Sequence, residues 1–434
     1  MKALRQLISA FLAATPAVAM PQNQLPKQTI LGTAGRVKPA GVGHFSEWSR
    51  ATKKAFLVDW QAGKASEWTI VEGNEGGDLD SMTAALTWAY HLDHISENSS
   101  HPIKAIALLQ TLSHALDLRP ENKLALDNSQ MTPGHEDLLT MDELPEDPET
   151  LASKLKGIVL VDHAEPLRKW SHANIISIFD HHKDRGTAPE AKPRIFEIAA
   201  SCTTLVARQM LDELEKLDEE YHMPHELLEL VLSAISIDSG GLTSDKTTKA
   251  DIETSKRVLA RSAWAKKDLK DVMEDLDDQL SSAQKDIDHL DLRDLLRRDW
   301  KGDLIDTPSP RTPTVSLGFA SVPYSMDEQI LKTDFAELFD WFAVHAKHHK
   351  DGSKEKIREI VLTVRDDVRI DQDQADSLFK TVKDALENNS EGIELTPWHR
   401  ADELSNRQMV WTHKSNAGRK IIRPIVEDAV IGWD

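Results

Sequence analysis

Apolar residues along the chain follow two periods. Short runs rich in β-branched residues, Trp68 to Glu72 (WTIVE), Ile103 to Leu109 (IKAIALL), Gly157 to Val161 (GIVLV) and Asn174 to Phe179 (NIISIF), have the length and continuity of strands buried on both faces of a parallel sheet. Between them apolar positions recur every three or four residues. Met82, Ala85, Leu86, Ala89 and Leu92 mark one face of a helix over Ser81 to Ile95, and Ser201 to Leu217 and His225 to Ile237 keep the same spacing. Strand, loop and helix alternate, which predicts an α/β fold with a mainly parallel sheet and helices on both faces. Asp251 to Arg298 is highly charged, lacks glycine and reads as a helical extension of that first domain, spanning 20–300.

From Lys301 to Pro313 the chain reads KGDLIDTPSPRTP, and its three prolines predict a linker at 301–313. Beyond it, strands are expected at Thr314 to Val322, Ile357 to Val364 and Gln408 to His413, with helices at Met326 to Lys347 and Gln374 to Asn388. This is a smaller α/β domain over 314–434.

Composition narrows the partners. Lys and Arg number 52 against 72 Asp and Glu, so the net charge of -20 opposes a nucleic-acid backbone, and no nucleic-acid partner is expected. Cys202 is the single cysteine, which excludes an intramolecular disulfide and a cysteine-rich zinc site. Lys2 and Arg5, the apolar run from Leu7 to Ala14 and Ala17-Val18-Ala19 give residues 1–19 the pattern of a secretory signal peptide, with a mitochondrial presequence as the alternative. No other stretch approaches about 18 uninterrupted apolar residues, so no membrane span is predicted.

Chemistry gathers after the predicted strands. Gly73-Asn74-Glu75-Gly76-Gly77-Asp78-Leu79-Asp80-Ser81 follows the first, Asp162-His163 follows GIVLV, Asp180-His181-His182 follows IISIF, and Ile237 is followed by Asp238. Ligands of open parallel sheets bind outside the carboxyl ends of the strands, so these segments are expected to converge. Each aspartate taken singly is an ordinary helix cap. Together they need a compensating positive charge, and an oxygen-rich set with few imidazoles suits two divalent cations, Mn²⁺ or Mg²⁺, better than structural zinc. A pair of cations about 3.5 to 4 Å apart lowers the pKa of a bridging water and favours phosphoryl transfer. His345 and His349 are a weaker i, i+4 pair on the predicted helix, without the glutamate of H-E-x-x-H.

These four motifs, in this order, resemble the DHH phosphoesterase superfamily, and within it the fungal exopolyphosphatase branch near prune-type proteins and family II inorganic pyrophosphatases. Gly418-Arg419-Lys420 is similar to the basic element of the C-terminal DHHA2 domain. The resemblance implies that Asn74, Asp78, Asp162 and Asp238 surround one cation, and Asp80, Asp162, His181 and Asp238 the other. It places His182 on the substrate phosphate beside Asp80 and Asp162 in the catalytic centre, and Arg419 and Lys420 on the terminal phosphates. Lys246, after the fourth motif, is a further basic candidate. The implied activity is removal of terminal phosphates from inorganic polyphosphate. Hydrolysis of pyrophosphate, or of short polyphosphates and nucleoside tetraphosphates, is the enzymatic alternative, and a non-catalytic cation-binding scaffold is the other. The family is usually cytoplasmic, and the oligomeric state is left open.

Overall fold

The structure is a computed structural model and describes residues 43–95, 102–132, 135–217, 223–332, 344–349, 356–367 and 369–434. The signal-like segment at 1–19 lies outside the described residues.

The first half is built on a six-stranded, all-parallel sheet. In chain order its elements are α1 (His44–Gln61), β1 (Trp68–Glu72), α2 (Leu79–Ile95), β2 (Lys104–Leu109), α3 (Pro120–Asn128), β3 (Leu139–Thr140), α4 (Pro148–Ala152), β4 (Gly157–Val161), β5 (Ile175–Asp180), β6 (Arg194–Phe196), α5 (Cys202–Leu214) and α6 (His225–Ser239). Side chains on a strand alternate between faces. Ile70, Ile106, Leu108, Ile158, Leu160 and Ile178 accordingly form one cluster with Phe56 of α1 and Trp170. The intervening Val71, Ala107, Val159, Val161 and Phe179 are buried on the other face, where Trp88 of α2 meets Phe179 at 4.6 Å between ring centroids. Two covered faces explain why β1 and β4 are buried at every position.

Strand order is β3-β2-β1-β4-β5-β6. The chain runs outward from β1 through β2 to β3, then returns beside β1 and runs outward the other way from β4 to β6. The order therefore reverses between β1 and β4, which pair in register from Thr69 opposite Gly157 to Glu72 opposite Leu160. At such a switch point the connections leave in opposite directions, and a crevice opens at the carboxyl ends of the two strands.

The charged region read as one helical extension is three helices, α7 (Lys249–Arg261), α8 (Leu269–Lys285) and α9 (Leu292–Arg298). Thr248, Asp268 and Asp291 each accept from a backbone N–H at a helix start, and these caps cut the run into pieces. The second sheet follows: β7 (Trp300–Asp306), β8 (Thr314–Val322), α10 (Met326–Lys332), β9 (Val344–His349), β10 (Lys356–Thr363), α11 (Gln372–Glu387), β11 (Thr396–Pro397), β12 (Gln408–His413) and α12 (Arg419–Ile431). Its order is β11-β12-β10-β9-β8-β7, antiparallel except for the parallel pair β8 and β9.

Two predictions are corrected here. The segment 301–313 is not a linker throughout, because Lys301 to Asp306 belong to β7 and pair with β8. All three prolines fall in the hairpin loop, which Thr307 N–H closes onto the Pro313 carbonyl, and the half-exposed, charged strand gave no apolar run to detect. Of the expected helix over 326–347, α10 covers Met326–Lys332, residues 333–343 lie outside the described residues, and Val344 to His349 is a strand, so His345 and His349 do not share a helical i, i+4 face.

The second sheet is covered on both sides. Ile360, Leu362 and Trp411 pack with Leu378 and Val382 of α11 and Val426 of α12. Val361 and Val410 face Leu295 and Leu296 of α9 in a cluster that also takes in Ala115 and Leu118 from the first half. A shared apolar cluster thus sets the second sheet against the β2–α3 connection. No described helix is long and apolar enough to cross a membrane.

Candidate phosphohydrolase centre

The switch point holds the chemistry. Asn74 leaves β1, Asp162 is the first residue after β4, and Asp180 ends β5. Asn74 Nδ2 donates to Asp162 Oδ2 at 2.6 Å, and its Oδ1 accepts from Gly76 N–H at 2.8 Å. Asp162 Oδ1 lies 3.2 Å from His181 Nε2 and 3.7 Å from His182 Nδ1, and has no hydrogen bond among the described residues. Asp162, His181 and His182 bring three ligand atoms within 4.8 Å of one another. Asp162 also has a φ of 63°, a left-handed conformation that a non-glycine residue rarely takes without a demand from its surroundings.

The imidazoles are aimed by hydrogen bonds on their far sides. His181 Nδ1 meets the Ala199 carbonyl at 3.0 Å, which assigns it the proton and turns Nε2 toward Asp162. His182 Nδ1 meets Asp180 Oδ1 at 2.6 Å, and its backbone N–H donates to the same oxygen at 3.1 Å. Asp180 is fully buried with Oδ2 unpartnered among the described residues, so the first letter of Asp-His-His positions the last.

Asp80 sits differently. Its Oδ1 accepts from Ser201 Oγ at 2.6 Å and Thr203 N–H at 2.7 Å, and its Oδ2 from Cys202 N–H at 2.7 Å. Ser201 makes no capping bond of its own, so Asp80 caps α5 from a distant part of the chain. Asp78 Oδ1 accepts from Ser81 N–H at 3.0 Å and caps α2. Asp238 lies in the last turn of α6, a helix rather than a strand end.

Electrostatics tie these groups into one field. Burial, with the carboxylates of Asp80, Asp78 and Asp162, pushes Asp238 well above the ordinary range. Burial and the Asp162 and Asp78 charges raise Asp80 as well. Burial alone would raise Asp162, but His181 and His182 outweigh it and hold Asp162 low. Burial would lower His181, yet Asp162 and Asp80 lift it to about 9. A cluster that retains a proton on imidazole at neutral pH is a cluster short of positive charge.

The matching basic residues come from the other half. A cleft of about 480 Å³ is lined on one side by Asn74, Asp162 and His182, and on the other by Lys301, Arg419 and Lys420. Lys301 stands in β7 and passes so close to Gly76 that a Cβ there would lie 2.7 Å from its Cε. Arg419 and Lys420 open α12. Arg419 donates to Asp299 Oδ1 at 3.0 Å and to the Asp299 carbonyl at 2.9 Å, and Arg119 bridges the same carboxylate to the Gly76 carbonyl. Against the cost of burial, Arg419, Arg119 and Lys301 hold Asp299 well below the carboxylate range. Arg423, one turn along α12, pairs with Glu75 at 3.5 Å. Lys246 is exposed in the connection between α6 and α7 and does not line the cleft.

Residues 68–235 match the DHH family, N-terminal domain. The chain carries a DHH family domain. A Schizosaccharomyces pombe protein named as a candidate exopolyphosphatase is 28% identical over 90% of this chain and 98% of its own length. Exopolyphosphatase PRUNE1 of Rattus norvegicus is 28% identical over 54% of this chain and 48% of that protein. Among solved structures, a Methanococcus jannaschii protein described as a candidate family II inorganic pyrophosphatase shares the fold, with a TM-score of 0.51 at 16% identity over 84% of this chain and 100% of that one.

The matched segment runs from β1 into α6 and takes in the first three motifs, while Asp238, also in α6, follows it by three residues. Lys301, Asp299, Glu75 and Arg119 escaped sequence reasoning. Asp299 and Lys301 flank Trp300 at the start of a strand read as linker, and Glu75 lay inside the first motif with no role attached to it.

Proposed function

We propose that this chain is a phosphoric-anhydride hydrolase that removes terminal phosphates from inorganic polyphosphate with the help of divalent cations. The observation that carries the reading is the facing of two unlike surfaces across one cleft: buried carboxylates and imidazoles at the sheet switch point, and the ammonium groups of Lys301 and Lys420 opposite. Among the described residues neither lysine has an ion pair. The 28% identity to the Schizosaccharomyces pombe protein over nearly its full length supports the substrate class.

The donor set fits a cation. Asp162 Oδ1 is buried without a hydrogen bond among the described residues, Asp238 and Asp80 are raised by burial and by the charges of neighbouring carboxylates, and His181 Nε2 is turned inward by the bond on its other nitrogen. Asp162, His181 and Asp238 would hold Mn²⁺ or Mg²⁺, with Asp80 and Asp78 adding oxygens and Asn74 fixing Asp162 through its amide. When bound, such an ion supplies positive charge and an acidic water.

The chain's own residues do the rest. Lys301 and Lys420 hold the anionic tail as point charges, and Arg419 adds a planar fork once phosphate replaces Asp299. His182, pinned through Nδ1 by Asp180, keeps Nε2 as its remaining ring nitrogen for a hydrogen bond to a phosphate oxygen. Stepwise release of orthophosphate is the expected product pattern.

The deciding experiment measures phosphate release from long polyphosphate, tripolyphosphate and pyrophosphate with Mn²⁺ or Mg²⁺. Faster turnover of the long chains is the expected result. Preference for pyrophosphate would replace this reading with a pyrophosphatase, and inactivity on all three with cation bound would favour a scaffold.

A further inference from the structure

Glu72 is a buried acid that the proposed chemistry does not use. It ends β1 two residues before Asn74, and strand alternation puts it on the face of Ile70, which packs with Phe56 of α1 and Trp170. It is fully buried, and neither carboxylate oxygen has a hydrogen bond among the described residues. His163 Nε2 stands 3.5 Å from Glu72 Oε1 and is likewise buried without a hydrogen bond, while the Lys169 ammonium adds attraction from farther away. A buried pair of this kind is a poor source of stability, because desolvation is repaid only by close geometry and further bonds. Its place in the fold suggests a different use.

The same imidazole spans the strained residue before it. His163 Nδ1 donates to the Val161 carbonyl at 2.9 Å, so the ring of the residue after Asp162 is tied to the residue before it. Asp162 between them has the left-handed φ of 63°, which persists only where the surroundings over-determine it. Three ties do so. The Asp162 N–H donates to the Phe179 carbonyl of β5 at 2.9 Å, Asn74 Nδ2 donates to Asp162 Oδ2 at 2.6 Å, and Glu72 holds the His163 side of the turn. Asn74 and Glu72 belong to the same strand end, so β1 meets the turn after β4 at two points. His163 also lines the cleft, but both its ring nitrogens are turned to protein acceptors, which leaves neither for a phosphate oxygen. Given the cation reading above, we infer that Glu72 and His163 are positioning residues, whose contact holds the left-handed turn at Asp162 and keeps Asp162 Oδ1 directed at His181 and His182, where the cation would be held.

Calorimetric titration of the full chain with Mn²⁺ tests this without turnover. Glu72→Gln keeps the shape and removes the charge, and His163→Asn keeps a donor near Nδ1 while removing Nε2. Each should weaken Mn²⁺ by at least about tenfold, the usual scale for a residue that orients a ligand of a metal. Because both variants break one contact, the double variant should bind within about twofold of the weaker single one, and fully additive losses overturn the pairing. At saturating Mn²⁺ the KM for polyphosphate should stay within about twofold of the parent. A raised KM with parent-like Mn²⁺ affinity would make His163 a substrate contact and overturn the positioning role. A lowered unfolding midpoint with parent-like Mn²⁺ affinity would make the pair structural only and overturn it too. If the parent itself binds no Mn²⁺, the cation reading fails and takes this role with it, whereas a parent that binds and variants that match it overturn this role alone. Should Glu72→Gln not fold, His163→Asn decides by the same measurements.

Discussion

Asp80 and Asp162 stand at the same rim of the same sheet and are equally buried, at 4% exposure each, yet the chain treats them in opposite ways. Both oxygens of Asp80 are met by donors at the start of α5, and its carboxylate caps a helix that begins more than a hundred residues later. Asp162 keeps one oxygen without a hydrogen bond and turns it toward two imidazoles from a strained backbone. Asp80 is anchored by donors that the start of α5 supplies, whereas Asp162 keeps one oxygen open for chemistry. Substitutions at the two positions should therefore separate into different readouts. Asp162→Ala should reduce phosphate release by more than about 100-fold, beyond the usual effect of an outer-shell partner. Cation titration of the variant should show a lost site; activity within tenfold of the parent would remove Asp162 from the centre.

Asp80→Asn tests the other side of the contrast. The amide keeps one acceptor but presents N–H to N–H at Cys202 or Thr203. A loss of about 2 kcal/mol in unfolding free energy is expected, the usual scale for charge-assisted hydrogen bonds. Denaturant unfolding of Asp80→Asn beside Asp162→Asn measures the difference, and equal stability of the two would erase the distinction.

The pH dependence sharpens it further. His181 is lifted from its ordinary value near 6.5 to about 9 by Asp162 and Asp80 despite its burial. A group raised on folding stabilises in full below its unfolded pKa, so the cation-free protein should hold this contribution below about pH 6.5 and lose it as pH rises through about 9. Cation affinity should run the other way, because the proton on His181 must leave before a cation takes its place. Between pH 7 and 9 the apparent Kd for Mn²⁺ should fall by up to about tenfold per unit, and His181→Gln should flatten that slope. Calorimetry at three pH values is sufficient.

Much of this centre was legible in the chain, for reasons that differ by element. β1, β4 and β5 are buried on both faces, so their sequences are continuous apolar runs, and the residues after them could be read as a rim. α1 gave no such signal, because its buried side includes Ser46, Ser49, Thr52 and Lys53, with Lys53 donating to the Leu138 carbonyl and pairing with Glu143. α12 was hidden by Pro424 inside it. β7 was hidden by its charges and by the prolines of the loop that follows. Asp180 could be read as part of a motif but not as the residue that aims His182, since that role depends on a 2.6 Å contact that no spacing rule states.

The basic side of the cleft repeats the lesson with lysines. Lys246 was a candidate on sequence order alone and is exposed away from the cleft, whereas Lys301 was passed over and stands in it. The charge of Lys301 contributes to holding Glu75, Asp162 and Asp299 in their ionised forms, so its removal acts on substrate grip and on the acidic rim together. Lys301→Ala should raise KM for polyphosphate by about tenfold with a smaller fall in kcat, and Lys420→Ala should do the same with less effect on the rim. Because these are point-charge contacts at an open cleft, both effects should grow at low ionic strength and shrink in salt. Lys246→Ala should stay within about twofold of the parent in KM at every salt concentration, as expected of an exposed charge that does not line the cleft. Steady-state kinetics across ionic strength compares all three, and a KM effect at Lys246 as large as that at Lys301 would mean that the polyphosphate tail leaves the cleft over α6 rather than along α12.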